Sequence, residues 1–356
     1  MAVGGSVAEQ LPVHTIFFGG GTPSLVPVEY YKRLFELLKV QFAVDNQAEI
    51  SLEANPGTVD QQYLSDLKKI GFNRISFGMQ SAHPQELALL ERAHQFEQVI
   101  DAVRMSRRAG FDNLSVDLIY GLPDQTLDRW LFSLDCALTM QPEHISLYSL
   151  TVEDGTRLQK MVERGLMNYP EDDMAAEMYE SSSELLAGAG YLQYEISNWK
   201  KADTNGRDWA CRHNLQYWRY TPYLGFGAGA HGFANQTRTA NQTDIAGYIR
   251  KIQQNQVVCQ FPAGPAAQVV QQLDLTTQMG EFMMVGLRLT ESGVSKREFE
   301  MKFNRSIEEV FAGQLTKLLK RELIEVVEFD DGEHMRIAKN GRLLGNQVFM
   351  EFIEED

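Results

Sequence analysis

Residues 14–24 read HTIFFGGGTPS, a short β-rich run from His14 to Phe18 set directly against Gly19, Gly20 and Gly21. One glycine would serve a tight turn between strand and helix. Three in a row let a ligand approach the backbone, whose N–H and C=O groups become available for bonding. Helical residues follow from about Pro27 to Val40, so the opening reads as a βα unit. The pattern then repeats. EISLE (49–53) precedes 58–71, where Val59, Tyr63, Leu64, Leu67 and Ile70 keep helical spacing and Thr58-x-x-Gln61 has the form of a capping box. RISFGM (74–79) leads into helical residues 84–109, and NLSVDLI (113–119) into 126–140. HISLYSL (144–150) is followed by helical stretches at 158–164 and 171–189, the second opened by the acids 171–173, which suit a helix N-terminus. The strands read as continuous apolar runs more than as alternation, which suits a parallel sheet covered by helices. Five successive βα units predict an α/β fold built as a closed or partly closed (β/α) barrel, with a doubly wound open sheet as the alternative.

Beyond this barrel region (1–190) the character changes. Residues 191–272 are aromatic, Gly-rich and Asn-rich, with little periodicity, and 273–356 form a last unit. That unit predicts helices at 276–288, after Ser295-x-x-Glu298 and after Ser306-x-x-Glu309, then ELIEVVEF and HMRIA joined through Asp330-Asp331-Gly332, a hairpin signal. Three helices and a hairpin make a winged-helix-like module. With about as many acids as bases and no basic stripe, it predicts an interaction or lid role rather than DNA binding.

The chain has 356 residues, 44% apolar and 23% charged, which gives a prior of two domains with substantial cores. Lys and Arg number 33 against 48 Asp and Glu, a net charge of −15 that argues against nucleic acid or an anionic membrane as the main partner. No apolar run is long enough to span a bilayer, so an integral membrane protein is not expected. MAVGGSVAEQLPV at the start lacks the pattern of a signal peptide, which predicts a cytoplasmic protein. Cys136, Cys211 and Cys259 are too far apart for a disulfide scaffold or a paired-CxxC zinc site, and Cys136 is expected in the core. The stretch 227–232 formally matches GxGxxG but lies in no evident βαβ unit, so it predicts a close-packed turn. Met283 and Met284 are expected to fill gaps between helices.

Polar groups recur at the strand ends: Glu53 closes EISLE, Gln80 follows RISFGM, Asp117 lies within SVDLI and Thr151 follows LYSL. In a (β/α) barrel these ends converge on one mouth. One acid in a strand is readily explained as a locally satisfied structural residue. Several in consecutive units, beside a glycine loop, predict a site, and carboxylates with an amide suit the hydroxyls and amino group of a nucleoside-like ligand.

The motifs IFFGGGTPS, LEANPG, ISFGMQS, Arg92, VDLIYGLP, LYSLTVEDGT, HNLQYW (213–218), YLGFGAGAHG (223–232) and GRLLGNQVFMEFI (341–353) occur in that order. Together they resemble the radical SAM proteins related to oxygen-independent coproporphyrinogen III oxidase, and within them the haem-chaperone branch. The resemblance runs from His14 to Ile353 and implies a partial (β/α) barrel of radical SAM type followed by a C-terminal helical domain. It implies that Gly20, Gly21 and Thr22 hold the methionine end of S-adenosylmethionine, with Glu53, Gln80, Arg92, Asp117 and Thr151 completing the site.

The family also carries CxxxCxxC after its first strand, upstream of the GGGTP strand, to hold a [4Fe–4S] cluster whose fourth iron binds S-adenosylmethionine. The thirteen residues before His14 contain no cysteine. The expectations are therefore a barrel lacking its first βα unit, with an open edge prone to partner pairing, and no radical generation by the chain as given. A start codon assigned too late and a natural truncation are the two explanations, the first favoured because GSVAEQLPV reads like the tail of a helix entering the strand. Without the cluster, S-adenosylmethionine is expected to bind weakly or not at all.

HNLQYW matches a motif associated with the haem-chaperone branch, and the resemblance makes His213 the leading haem-ligand candidate, with His231 and Cys211 behind it. The same residues could instead pin the middle segment by hydrogen bonds and aromatic packing. No Cys-Pro pair occurs. The resemblance implies a haem chaperone, with haem as its cargo and membrane respiratory haem proteins as recipients. The alternatives are oxidative decarboxylation of coproporphyrinogen III and a cluster-less remnant with interaction functions alone.

Overall fold

The computed structural model describes residues 10–169, 171–202, 206–254 and 259–353. Contacts divide the chain into one unit ending at His213 and a second beginning at Asn214.

In the first unit, strands β1 (Pro12–Phe18), β2 (Ala43–Ala54), β3 (Arg74–Gln80), β4 (Leu114–Tyr120) and β5 (His144–Ser149) pair in chain order and in parallel. A hairpin of β6 (Tyr191–Glu195) and β7 (Asn198–Lys201) completes a seven-stranded sheet by adding β7 antiparallel to β5. The connections are α1 (Val28–Gln41), α2 (Gln61–Ile70), α3 (Pro84–Leu89), α4 (Phe96–Arg108), α5 (Leu127–Thr139), α6 (Arg157–Glu163) and α7 (Asp172–Gly188). The sheet is an open half-barrel with β1 at one edge and β6 at the other.

Three local expectations are corrected. The strands alternate. Leu52, Ile75, Phe77, Leu114, Val116, Leu118, Ile145 and Leu147 lie in the cores beneath the helices. The residues between them, Ser51, Glu53, Arg74, Ser76, Ser115, Asp117, His144 and Ser146, line the inner face. Helix α2 starts later than Thr58: Asp60 is its cap, its carboxylate accepting from the Tyr63 N–H at 2.7 Å. The long helix expected over 84–109 is two helices, because the chain turns at Leu90–Gln95 and restarts with a capping box between Gln95 and Gln98.

The second unit holds β8 (His231–Ala234), β9 (Thr237–Asn241) and β10 (Ala267–Gln272) in one antiparallel sheet, with α9 (Ile245–Gln254) between β9 and β10. Helix α8 (Arg212–Trp218) spans the division between the units. The last segment packs α10 (Leu275–Gly286), α11 (Lys296–Phe303) and α12 (Ile307–Lys320) with a three-stranded sheet of β11 (Val294–Ser295), β12 (Ile324–Phe329) and β13 (Gly332–Ile337), ending in α13 (Gly345–Met350). Ser295 and Ser306 cap α11 and α12, and the hairpin turns at Asp330-Asp331, as their spacing predicts. No helix of the described residues is long and apolar enough to cross a membrane.

Candidate functional site at the strand ends of the half-barrel

The glycine loop is fixed on one side and open on the other. Pro23 and Ser24 are buried; the Tyr31 hydroxyl donates to the Pro23 carbonyl at 2.6 Å, and the Asn55 N–H donates to Ser24 Oγ at 3.1 Å. Upstream, Gly20 and Gly21 take φ of +78° and +61°, a region costly for any residue with a Cβ, and open space lies where their Cβ atoms would sit. The Gly20 N–H donates to Glu53 Oε2 at 3.1 Å, tying the loop to the end of β2.

Glu53 and Asp117 are two of the acids of the inner face. Burial raises the pKa of Glu53, against the Gly20 N–H, and the charge of Asp117 raises it further. Burial also raises the Asp117 pKa, opposed by hydroxyls of Ser146, Ser76 and Ser115 and by the Arg74 charge; Ser76 Oγ donates to Asp117 Oδ2 at 2.8 Å. The Arg74 charge opposes the rise at both acids, and the Asp117 charge adds to it at Glu53. Gln80 ends β3 at a register irregularity, with φ of +67°, and is buried. Thr22 precedes the buried Pro23-Ser24 anchor.

Arg92 and Thr151 stand apart from this group. Arg92 lies in the exposed turn between α3 and α4, where its backbone N–H donates to the Leu87 carbonyl, and Thr151 is exposed beyond β5. Among the described residues neither side chain bonds to the other predicted positions.

Toward the opposite end of the strands lies a network in which Cys211 and His213 make the hydrogen bonds and aromatic packing given as the alternative to haem ligation, and whose Glu49, Arg74, His144 and Tyr194 the sequence reading missed. Glu49 accepts the backbone N–H groups of Arg212 and His213 at 3.1 and 3.0 Å and the Cys211 thiol at 3.6 Å. His144 bridges Ser115 Oγ and the Tyr194 hydroxyl, both at 2.8 Å, and burial holds its pKa well below the usual histidine value. Arg74, 2% exposed, stays charged: burial opposes ionisation, but Cys211, Glu49, Tyr194 and Asp117 more than offset it. His213 pairs with Thr15 Oγ1 through Nδ1 at 2.9 Å and stacks on Phe17 at 4.9 Å with an interplanar angle of 11°. Burial lowers its pKa to about 4, so it is neutral at pH 7. Ser, Glu, Arg and His at alternate positions of otherwise apolar strands were the available signal.

Cys136 sits on α5, packed against the core on the outer face of the sheet, and Cys211 lies on the inner face. Among the described residues no three His, Cys, Asp or Glu side chains group to hold a metal.

The fold agrees with what the chain resembles. A family model described as the radical SAM superfamily matches residues 6–137, and the HemN C-terminal domain matches 273–344. The haem chaperone HemW of Bacillus subtilis (strain 168) is 37% identical over 347 residues, 97% of this chain and 87% of that protein. HemW of Lactococcus lactis subsp. lactis (strain IL1403) is 33% identical over 97% of this chain and 86% of that one. HemW of Escherichia coli (strain K12) is 31% identical over 98% and 86%. Among solved structures, coproporphyrinogen III oxidase (HemN) from Escherichia coli, a radical SAM enzyme, superposes with a TM-score of 0.78 at 22% identity, covering 96% of this chain and 78% of that one. That likeness gives the fold, a radical SAM half-barrel with a C-terminal helical domain. The identity with the HemW proteins goes further, and on it this chain belongs to the HemW family of haem chaperones within the radical SAM proteins.

Proposed function

We propose that this chain binds haem and passes it to haem proteins, with membrane respiratory haem proteins as recipients and the cytoplasm as its place of work. The observation that carries this reading is its 37% identity to a haem chaperone over 97% of its length. His213 is the candidate iron ligand on the half-barrel. Burial keeps its imidazole neutral at pH 7, the form that binds a metal.

S-adenosylmethionine is the ligand proposed for the strand ends, held by Gly20, Gly21, Thr22, Glu53, Gln80, Arg92, Asp117 and Thr151. The glycine loop and the acids fit it, while Arg92 and Thr151 rest on the resemblance alone. Two consecutive left-handed glycines leave open space beside accessible backbone, and the Glu53–Asp117 pair favours the cationic sulfonium and ammonium. When bound in a radical SAM protein, this cofactor and a [4Fe–4S] cluster supply a deoxyadenosyl radical. The three cysteines of this chain do not fit that cluster, since Cys136 and Cys211 occupy opposite faces of one sheet.

Titrating the purified chain with ferric haem and following the Soret band tests the reading. A saturable, stoichiometric change supports it, and a change no different from that given by serum albumin at matched low affinity would not.

A further inference from the structure

In the second unit, the segment 223–232 returns tightly on itself. Tyr223 and Phe233 exchange backbone hydrogen bonds at 2.7 and 2.8 Å, and a Cβ on Gly225 would meet the His231 carbonyl oxygen at 1.9 Å. Glycine alone admits that approach. Residues 226–230 form the tip of the turn. Asn241 Nδ2 donates to the carbonyls of Gly225 and Gly227 at 3.3 and 3.0 Å, and the Gly227 N–H donates to the Tyr248 hydroxyl at 3.1 Å. Phe226 and His231 therefore stand at the two ends of one short, fixed turn. Phe226 is 59% exposed, and the imidazole of His231 is exposed with no hydrogen bond or ion pair among the described residues.

Helix α9 borders this turn through Tyr248. Ile245, Tyr248, Ile249 and Ile252 follow the i, i+3, i+4, i+7 spacing of one helix face. That face is partly exposed: Ile245 is 68% and Ile249 46% exposed, while Tyr248 and Ile252 are half-buried. Lys251 lies at the border of the stripe, at roughly 240° around the axis from Ile245, whereas Arg250, at roughly 140°, is on the far side of the helix and faces the Asp244 carboxylate at 4.0 Å.

We propose that haem docks on this surface with His231 as an axial iron ligand. The inference rests on the haem-binding reading above and assigns the iron to His231 of the second unit in place of His213. A flat apolar macrocycle can lie on Phe226, Ile245 and Ile249, and a backbone of glycines and alanines lets it approach closely. An imidazole without a hydrogen-bond partner is a ready iron ligand, and Lys251 at the border of the stripe offers a cation to a propionate. The surface requires no residue of the first unit.

Ferric haem is titrated into the full chain and into His231→Ala, His213→Ala and the double variant Ile245→Glu/Ile249→Glu, with circular dichroism confirming the fold of each. Both sets of side chains altered in this unit are exposed, so folding should survive. The expected result is at least about a tenfold weaker affinity and a shifted Soret band for His231→Ala, and a similar loss for the double variant. Unchanged affinity and spectrum for His231→Ala would overturn the proposal, most plainly if His213→Ala alone abolished binding. No saturable binding by the unaltered chain would instead sink the haem reading as a whole. Phosphatidylglycerol vesicles that sediment the chain but not the double variant, with haem affinity intact in both, would assign the patch to a membrane surface and overturn the proposal.

Discussion

The Gly20 N–H donates to Glu53 Oε2 at 3.1 Å, so the glycine loop after β1 is held by the last acid of β2. The bond uses one carboxylate oxygen, and the pair links the backbone opened by the glycines to the acids of the inner face. Glu53→Gln keeps the shape and removes the charge. A charged hydrogen bond is worth about 1.5–3 kcal/mol, so S-adenosylmethionine affinity is expected to fall by roughly ten- to a hundredfold in a chain that binds it, read by equilibrium dialysis. Unchanged affinity would remove Glu53 from the site.

Gly21→Ala tests the loop by conformation alone. No atom lies within 4 Å of the added Cβ, yet φ is +61°. The cost is that of a left-handed alanine, about 1–2 kcal/mol. A lower unfolding midpoint with no change in the position of Pro23 and Ser24 is expected; an unchanged midpoint would show that the loop relaxes freely.

Binding a cation between Glu53 and Asp117 should release protons. Both pKa values are raised, first by burial, and a positive ligand favours the ionised forms. Calorimetry of S-adenosylmethionine binding near pH 5 in buffers of different ionisation enthalpy should show proton release that fades toward pH 7. Proton uptake would contradict this arrangement.

His213 and His144 make the first unit acid-sensitive. Their folded pKa values lie below the ordinary 6.5, to about 4 for His213 and well below for His144. Between pH 6.5 and about 4 the unfolded chain therefore takes up protons that the folded chain refuses. Their stabilising contribution is complete above pH 6.5 and is lost as pH falls. Glu53 and Asp117 act in the opposite sense, since their raised pKa values favour the folded state at low pH. Thermal melts from pH 7 to 5 should show a falling midpoint, and His213→Gln should flatten the slope. An equal slope in that variant would mean that His213 is not held neutral by the fold.

Much of this architecture was legible because strand and helix lengths repeat, and because Ser295 and Ser306 cap the helices that follow them, with Glu309 completing a capping box at the second. What escaped was the alternation within the strands. Ser51, Ser76, Ser115 and Ser146 are small enough to read as neutral spacers in an apolar run, yet they face inward, and the hydroxyls of the last three serve Asp117 and His144. Thr58 and Asp60 both precede α2, and only the chain path after Asn55 decides between them: Thr58 donates to the Asn55 carbonyl instead of capping. Arg92 belonged to an expected continuous helix and lies in a turn instead. The network of Glu49 with the backbone of Arg212 and His213 joins residues more than 160 positions apart, which no local spacing could reveal.

Transfer of haem is the most direct test of the account. The chain is loaded with ferric haem, freed of excess by gel filtration and mixed with apomyoglobin while the Soret band is followed. The account expects haem to co-elute with the chain and then move to the acceptor. No haem retained by the chain, or retained haem that never leaves it, would contradict a chaperone.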